Sequence, residues 1–135
     1  FIRQARRTRK ILGGGMRQAG VLAAAGHYAL QHHVRRLAED HANLHTLASG
    51  LRAVGENHPV LRGRITVHPW QTNILFTDVD AELAPALSAW LAQHGVRVTT
   101  SLYGGQTRLR WVAHLDVEPD DVAQTLDCVH RFKGP

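Results

Sequence analysis

A single cysteine, Cys128, in 135 residues excludes a disulfide within the chain, and with it the small secreted scaffolds that depend on such bridges. A reducing, cytoplasmic setting fits that usage. Lysine is nearly as scarce, with Lys10 and Lys133 alone. Aromatics make up 6% of the chain, and Trp70, Trp90 and Trp111 fall in segments that read as core or sheet, not as a stacking platform for bases. No long apolar run is present. The longest nearly uncharged stretch, residues 18–30, is too short to span a bilayer and contains His27. No apolar core follows the opening arginines, as a secretory signal would require. Internal repeats and low-complexity tracts are missing too. The chain starts in mid-pattern at Phe1, which leads one to expect a piece of a longer polypeptide.

Acidic residues are absent from residues 1–17, which hold Arg3, Arg6, Arg7, Arg9, Lys10 and Arg17. The remainder carries ten basic and eleven acidic residues and is nearly neutral. The pI of about 10.3 is therefore one local feature. It suits a small anion or an acidic neighbouring surface better than a nucleic-acid-binding face. Apolar content of 44% and charged content of 20% are those of a globular domain with a real core.

Residues 1–12 contain strong helix formers and no breaker. Gly13-Gly14-Gly15 interrupts them, and residues 16–31 read as an alanine-rich helix with small side chains along it. On this reading the glycines leave several N–H groups open near a helix N-terminus. A long helix is expected over 34–54, with Leu37, Leu44, Leu47 and Leu51 at helical spacing and Gly55 as its C-cap. The period then shortens. Strands are expected over 64–68, 72–77, 96–99 and 107–113, with a helix over 81–93 and a loop at 101–106 around Gly104-Gly105. Glu118-Pro119 opens a last helix, with Asp120 and Asp121 at its positive end. The expected fold is α+β, a small antiparallel or mixed sheet with helices on one face, preceded by two long helices. Residues 1–32 would form a linking segment and 33–135 a small domain.

Two segments could carry chemistry. Over 9–18, R-K-I-L-G-G-G-M-R-Q joins a basic pair, three glycines and Arg17. That combination suits a phosphate, although it lacks the Gly-Lys-Ser/Thr of a P-loop and equally describes a glycine hinge beside a solvated basic face. Over 107–113, alternation places Arg108, Arg110 and Val112 opposite Leu109, Trp111 and Ala113. A guanidinium on a rigid strand can grip a carboxylate with two parallel hydrogen bonds, or simply pair with a nearby acid. His41 and His45 stand four apart, as paired zinc ligands do, but no third ligand is indicated and no metal is expected. Cys128 reads as a buried, inert thiol.

Four motifs in order bring a family into view. R-K-I-L-G-G-G-M-R-Q-A-G-V-L-A-A-A over 9–25, L-A-E-D-H over 37–41, Q-T-N-I-L-F over 71–76 and R-W-V-A-H-L-D-V over 110–117 resemble those of the low-specificity L-threonine aldolases. The resemblance covers nearly the whole chain and matches its C-terminal portion to these enzymes. It implies the small domain of the aspartate-aminotransferase fold type and pyridoxal 5'-phosphate as cofactor. The implied activity is cleavage of L-threonine, L-allo-threonine or related β-hydroxy-α-amino acids to glycine and an aldehyde. A β-eliminating or aminotransferase-like reaction is the alternative. The resemblance also implies that the Schiff-base lysine and catalytic histidines lie upstream of Phe1, so that this segment alone is inactive. It assigns the substrate α-carboxylate to Arg110 and the cofactor phosphate to Lys10 and Arg17, reaching into a neighbouring subunit's site. The implied partners are the rest of the polypeptide and further copies in a dimer or tetramer. Trp111 and Ala113 depart from the family's usual aliphatic residue and threonine, which leaves preference at the β-carbon open.

Overall fold

The computed structural model describes all 135 residues apart from the side chain of Tyr103. It divides into two units, Phe1–Arg35 and Arg36–Pro135. The first consists of α1 (Ile2–Ile11) and α2 (Gly20–His32), neither of which has a buried residue. Five of the ten residues of α1 are basic, Arg3, Arg6, Arg7, Arg9 and Lys10, and the helix buries none of its side chains.

Gly13-Gly14-Gly15 does not open α2. Gly13 has φ of +83° and donates its N–H to Lys10 O, while Gly14 N donates to Arg9 O at 2.8 Å. This pair of bonds is a Schellman cap, and it closes the C-terminus of α1. The expected start of the second helix at residue 16 is likewise displaced: residues 17–19 form a turn, with Gln18 at φ 49°, and the helix begins at Gly20.

The second unit begins with α3 (Leu37–Asn57), the longest helix. Its apolar stripe Leu44, Leu47, Leu51 and Val54 is buried, as the 3.6-residue period requires. Gly55 is not its cap. The residue lies inside the last turn, where an added Cβ would stand 3.1 Å from the backbone oxygen of Ile65, so it is the closeness of the next strand that needs a glycine. The helix ends at His58, whose extended backbone precedes Pro59.

Strands β1 (Ile65–Val67), β2 (Ile74–Val79), β3 (Thr99–Tyr103) and β4 (Gln106–Val112) form one antiparallel sheet in the order β1-β2-β4-β3. Helix α4 (Ala84–Gln93) joins β2 to β3, and α5 (Pro119–His130) follows β4. The third strand lies later than expected over 96–99, because Gly95 (φ +82°) and Val96 are used to cap α4, donating to Ala92 O and Leu91 O. The expected loop at 101–106 is instead a hairpin: Tyr103 pairs Gln106 across Gly104 (φ +58°) and Gly105 (φ +81°). Two positive φ values are what a type I′ turn demands.

One face of the sheet is core. Leu75, Val79, Leu109 and Trp111 are buried with Leu44, Leu51 and Val54 of α3, Leu87 and Leu91 of α4, and Val122 and Val129 of α5. Most of the polar side chains caught around it are paired, the Ser88 hydroxyl being, among the described residues, the buried one without a partner. Trp111 Nε1 donates to Thr77 Oγ1 at 3.0 Å, and Trp90 Nε1 to Cys128 O at 2.9 Å. The Asn73 side chain donates to Ala113 O at 2.8 Å, and the Asn43 side chain to Val117 O at 2.9 Å. Buried Asp40 receives the fork of Arg36. The ring of His58 is a further clamp. Its Nδ1 accepts from Val60 N and Leu61 N, which leaves Nε2 to donate to His130 O at 3.1 Å. Cys128 is buried, and loss of water raises its thiol pKa. Among the described residues no helix is long and apolar enough to cross a membrane.

Candidate functional site

Each unit holds one of the two segments singled out in the sequence. In the first, Arg9, Lys10, Gly13, Gly14, Gly15, Met16 and Ala19 line a shallow depression. Its shape follows from side chains lying over glycines. An added Cβ at Gly14 would come within 2.6 Å of Arg9 Cγ, and one at Gly15 within 2.6 Å of Lys10 Nζ. The Lys10 ammonium is thus held against the turn, and Arg17 is exposed in the next turn, outside that lining. The expected cradle of open N–H groups is not there. Those of Gly13, Gly14 and Gly15 donate to Lys10 O, Arg9 O and Gly13 O. They belong to a helix C-terminus, where the dipole does not favour an anion. Any anion held here is held by the cationic side chains.

In the second unit the outer face of the sheet carries the chemistry. The register sets Arg110 opposite Phe76 of β2 and Thr99 of β3, Arg108 opposite Asp78 and Ser101, and Val112 opposite Ile74. Cross-strand partners share a face. Arg110 is exposed, and no hydrogen bond or ion pair joins its guanidinium to another of the described residues. Ile74, Phe76 and Val112 beside it are each a little over a third exposed, at 38%, 38% and 37%. They give the guanidinium an apolar flank that weakens competition from water.

Arg108 is engaged quite differently. Its Nε donates to Asp78 Oδ1 at 2.7 Å and its Nη2 to Asp78 Oδ2 at 2.9 Å, the bidentate fork. His68 Nε2 stands 2.8 Å from the same Oδ2 and 3.3 Å from Arg108 Nη2. The guanidinium carbon lies 5.9 Å from the centre of the Phe76 ring. Arg108 above all, and then His68, hold the Asp78 carboxyl down at about 2, against the opposing effect of burial. So the pairing that equally fitted either arginine is realised for Arg108. Neither Asp78 nor His68 stood out beforehand. The β2 strand was expected to end at Thr77, which left Asp78 off the sheet, and a contact thirty residues apart in sequence is set by strand register.

Against this geometry, comparison with known proteins is decisive. The family model described as beta-eliminating lyase matches residues 1–82. The chain belongs to the beta-eliminating lyase family. Among the relatives of this lyase-family chain, the "Low specificity L-threonine aldolase" of Escherichia coli (strain K12) is 41% identical over 124 residues, which is 92% of this chain and 33% of that protein. "Low-specificity L-threonine aldolase 1" of Arabidopsis thaliana is 36% identical over 135 residues, 97% of this chain and 35% of that protein. The lyase-family chain thus spans about a third of the length of the curated relatives it matches. The likeness to L-threonine aldolases drawn from the four motifs stands.

Two solved structures share the fold. One is 8-amino-7-oxononanoate synthase from Francisella tularensis, with a TM-score of 0.61 at 17% identity, covering 81% of this chain and 30% of that one. The other is Oryza sativa TDC with PLP and tryptamine, with a TM-score of 0.57 at 15% identity, covering 70% and 22%. At such identities the likeness is one of architecture. It agrees with the α+β small domain of the aspartate-aminotransferase fold type expected from the sequence.

Proposed function

We propose that this chain is the C-terminal part of a pyridoxal-phosphate-dependent aldolase that cleaves L-threonine, L-allo-threonine or a related β-hydroxy-α-amino acid to glycine and an aldehyde. The observation that carries the reading is Arg110. It is a guanidinium on a rigid central strand, flanked by Phe76, beside an arginine already committed to an acid. A fork so placed suits a planar α-carboxylate.

The cofactor's chemistry, once it is bound, is to accept the electron pair of the broken Cα–Cβ bond. The residues of this chain fit the group in part. Lys10 and Arg17 can meet a dianionic phosphate as cations, and the glycine turn, whose N–H groups are used, adds no backbone cradle. Neither Lys10, held over Gly15, nor Lys133 is proposed to carry the cofactor covalently. That lysine belongs to the rest of the polypeptide, and this segment alone should not turn over. Two parallel hydrogen bonds from Arg110 to the carboxylate fix the torsion about Cα and hold the scissile bond in the orientation cleavage needs. Residence in the cytoplasm and assembly into a dimer or tetramer complete the proposal.

The test uses the full-length protein. Arg110→Ala should raise KM for threonine by roughly ten- to a hundredfold, the worth of a charge-assisted hydrogen-bond pair, and lower the release of glycine and acetaldehyde. Arg110→Lys, with one point charge and no fork, should fall between. Unchanged KM and turnover in Arg110→Ala would remove the assignment. The family's own description favours elimination as a second reading. Release of pyruvate and ammonia from serine, without glycine from threonine, would select it.

A further inference from the structure

Two arginines project from the same face of β4, two residues and so roughly 7 Å apart along the strand, yet a carboxylate can be read in only one register. We propose that Asp78 is a positioning residue: by clamping Arg108 it leaves Arg110, of the two arginines on this face of β4, to receive the carboxylate. The proposal rests on the reading of Arg110 given above and concerns what keeps that reading unambiguous.

The geometry supports it at three points. Asp78 sits directly opposite Arg108 in the β2–β4 register, so the clamp needs no side-chain excursion. Its two oxygens take both Nε and Nη2 of Arg108, at 2.7 and 2.9 Å, which occupies the side-on edge of the guanidinium and pins its plane. His68, at 2.8 Å from Oδ2, also holds Asp78, and the Asp78 side chain is only 10% exposed. Arg108 nevertheless leans over the Phe76 ring, the residue paired with Arg110. A substrate arriving at Arg110 therefore passes within reach of it.

Loss of the clamp has a kinetic signature distinct from damage. A substrate whose carboxylate is held by Arg108 is bound out of register and unproductively. Unproductive binding lowers kcat and KM in the same ratio and leaves kcat/KM unchanged. In the full-length protein, Asp78→Asn should therefore lower kcat and KM together, by about twofold where the two arginines bind equally and by more where Arg108 binds tighter. Asp78→Glu, which keeps the charge, should restore both toward the parent values, as should adding Arg108→Met to Asp78→Asn. A fall in kcat/KM, a raised KM at constant kcat, or failure of Arg108→Met to reverse the effect would overturn the proposal. Should Asp78→Asn not fold, Ser101→Arg puts an unclamped guanidinium at an exposed position in register with Arg108. The same proportional fall is expected there, and its absence counts against the idea. Arg110→Ala, run in parallel, separates the two levels: normal KM in that variant sinks the carboxylate reading itself, whatever Asp78 does.

Discussion

The Asp78 carboxylate shows how a paired charge enters the stability of the domain. Its pKa is held at about 2 from an ordinary 3.8, first by the hydrogen bonds from Arg108 and then by those from His68. A depressed carboxylate contributes stability that is complete above its unfolded value and is lost as pH falls through the folded one. The window here runs from about 3.8 down to 2, and the contribution is of the order of 2 kcal/mol. Urea unfolding of the parent and of Asp78→Asn at pH 5 and near pH 2 should show the difference between them shrinking by about that amount. An equal difference at both pH values would mean that the pair is not coupled as described. At this scale the sequence revealed residue types and little of their pairing. Lys10, Arg17 and Arg110 lie within recognisable motifs. Asp78 and His68 acquire meaning only when β1, β2 and β4 are set in register. The bonds of His58 to Val60, Leu61 and His130 likewise depend on packing that the sequence does not display.

At the scale of elements, nearly every helix and strand was legible, and the ends were not, for a shared reason. Glycines play other parts than their positions suggest: Gly13 and Gly14, expected to open α2, end α1, and Gly55, expected as a cap, lets α3 approach β1, while Gly95 does end α4. A pattern of apolar residues indicates that a helix exists, whereas its end is decided by where carbonyls find donors. The β3–β4 hairpin makes the most direct prediction. Gly104 and Gly105 both occupy positive φ, with nothing within 4 Å of an added Cβ, so the cost of a side chain there is purely conformational. Gly105→Ala should destabilise by about 1 kcal/mol and Gly105→Val by more, since a β-branched residue resists the left-handed region most. Gly104→Asn should be nearly neutral, because asparagine at the first turn position is what a type I′ hairpin favours. Denaturant midpoints of the three variants check this ordering. If Gly104→Asn cost as much as Gly105→Val, the turn would not be of that type.

For the molecule as a whole, the decisive fact is that burial is confined to one unit. Every residue of the hydrophobic core, from Leu44 to Phe132, belongs to Arg36–Pro135, and α1 and α2 contain none. Composition could show that a core existed but not that the basic, alanine-rich first unit contributes no residue to it. Helices of 10 and 13 residues are marginal in water without a buried face. Five like charges within the first of them oppose it further. Residues 36–135 expressed alone should therefore unfold cooperatively, with the denaturant midpoint of the whole chain. A peptide of residues 1–35 should show little helix by circular dichroism. Amide exchange on the whole chain should find the slowest hydrogens in α3, β2 and β4, and rapid exchange throughout α1 and α2. A midpoint that falls sharply on removal of residues 1–35 would show that the first unit contributes to the fold of the second. If instead the midpoint holds, the stability of the sheet bearing Arg110 is independent of the segment bearing Lys10 and Arg17. Loss of activity in Lys10→Ala or Arg17→Ala proteins could then be read as loss of anion binding and not of folding.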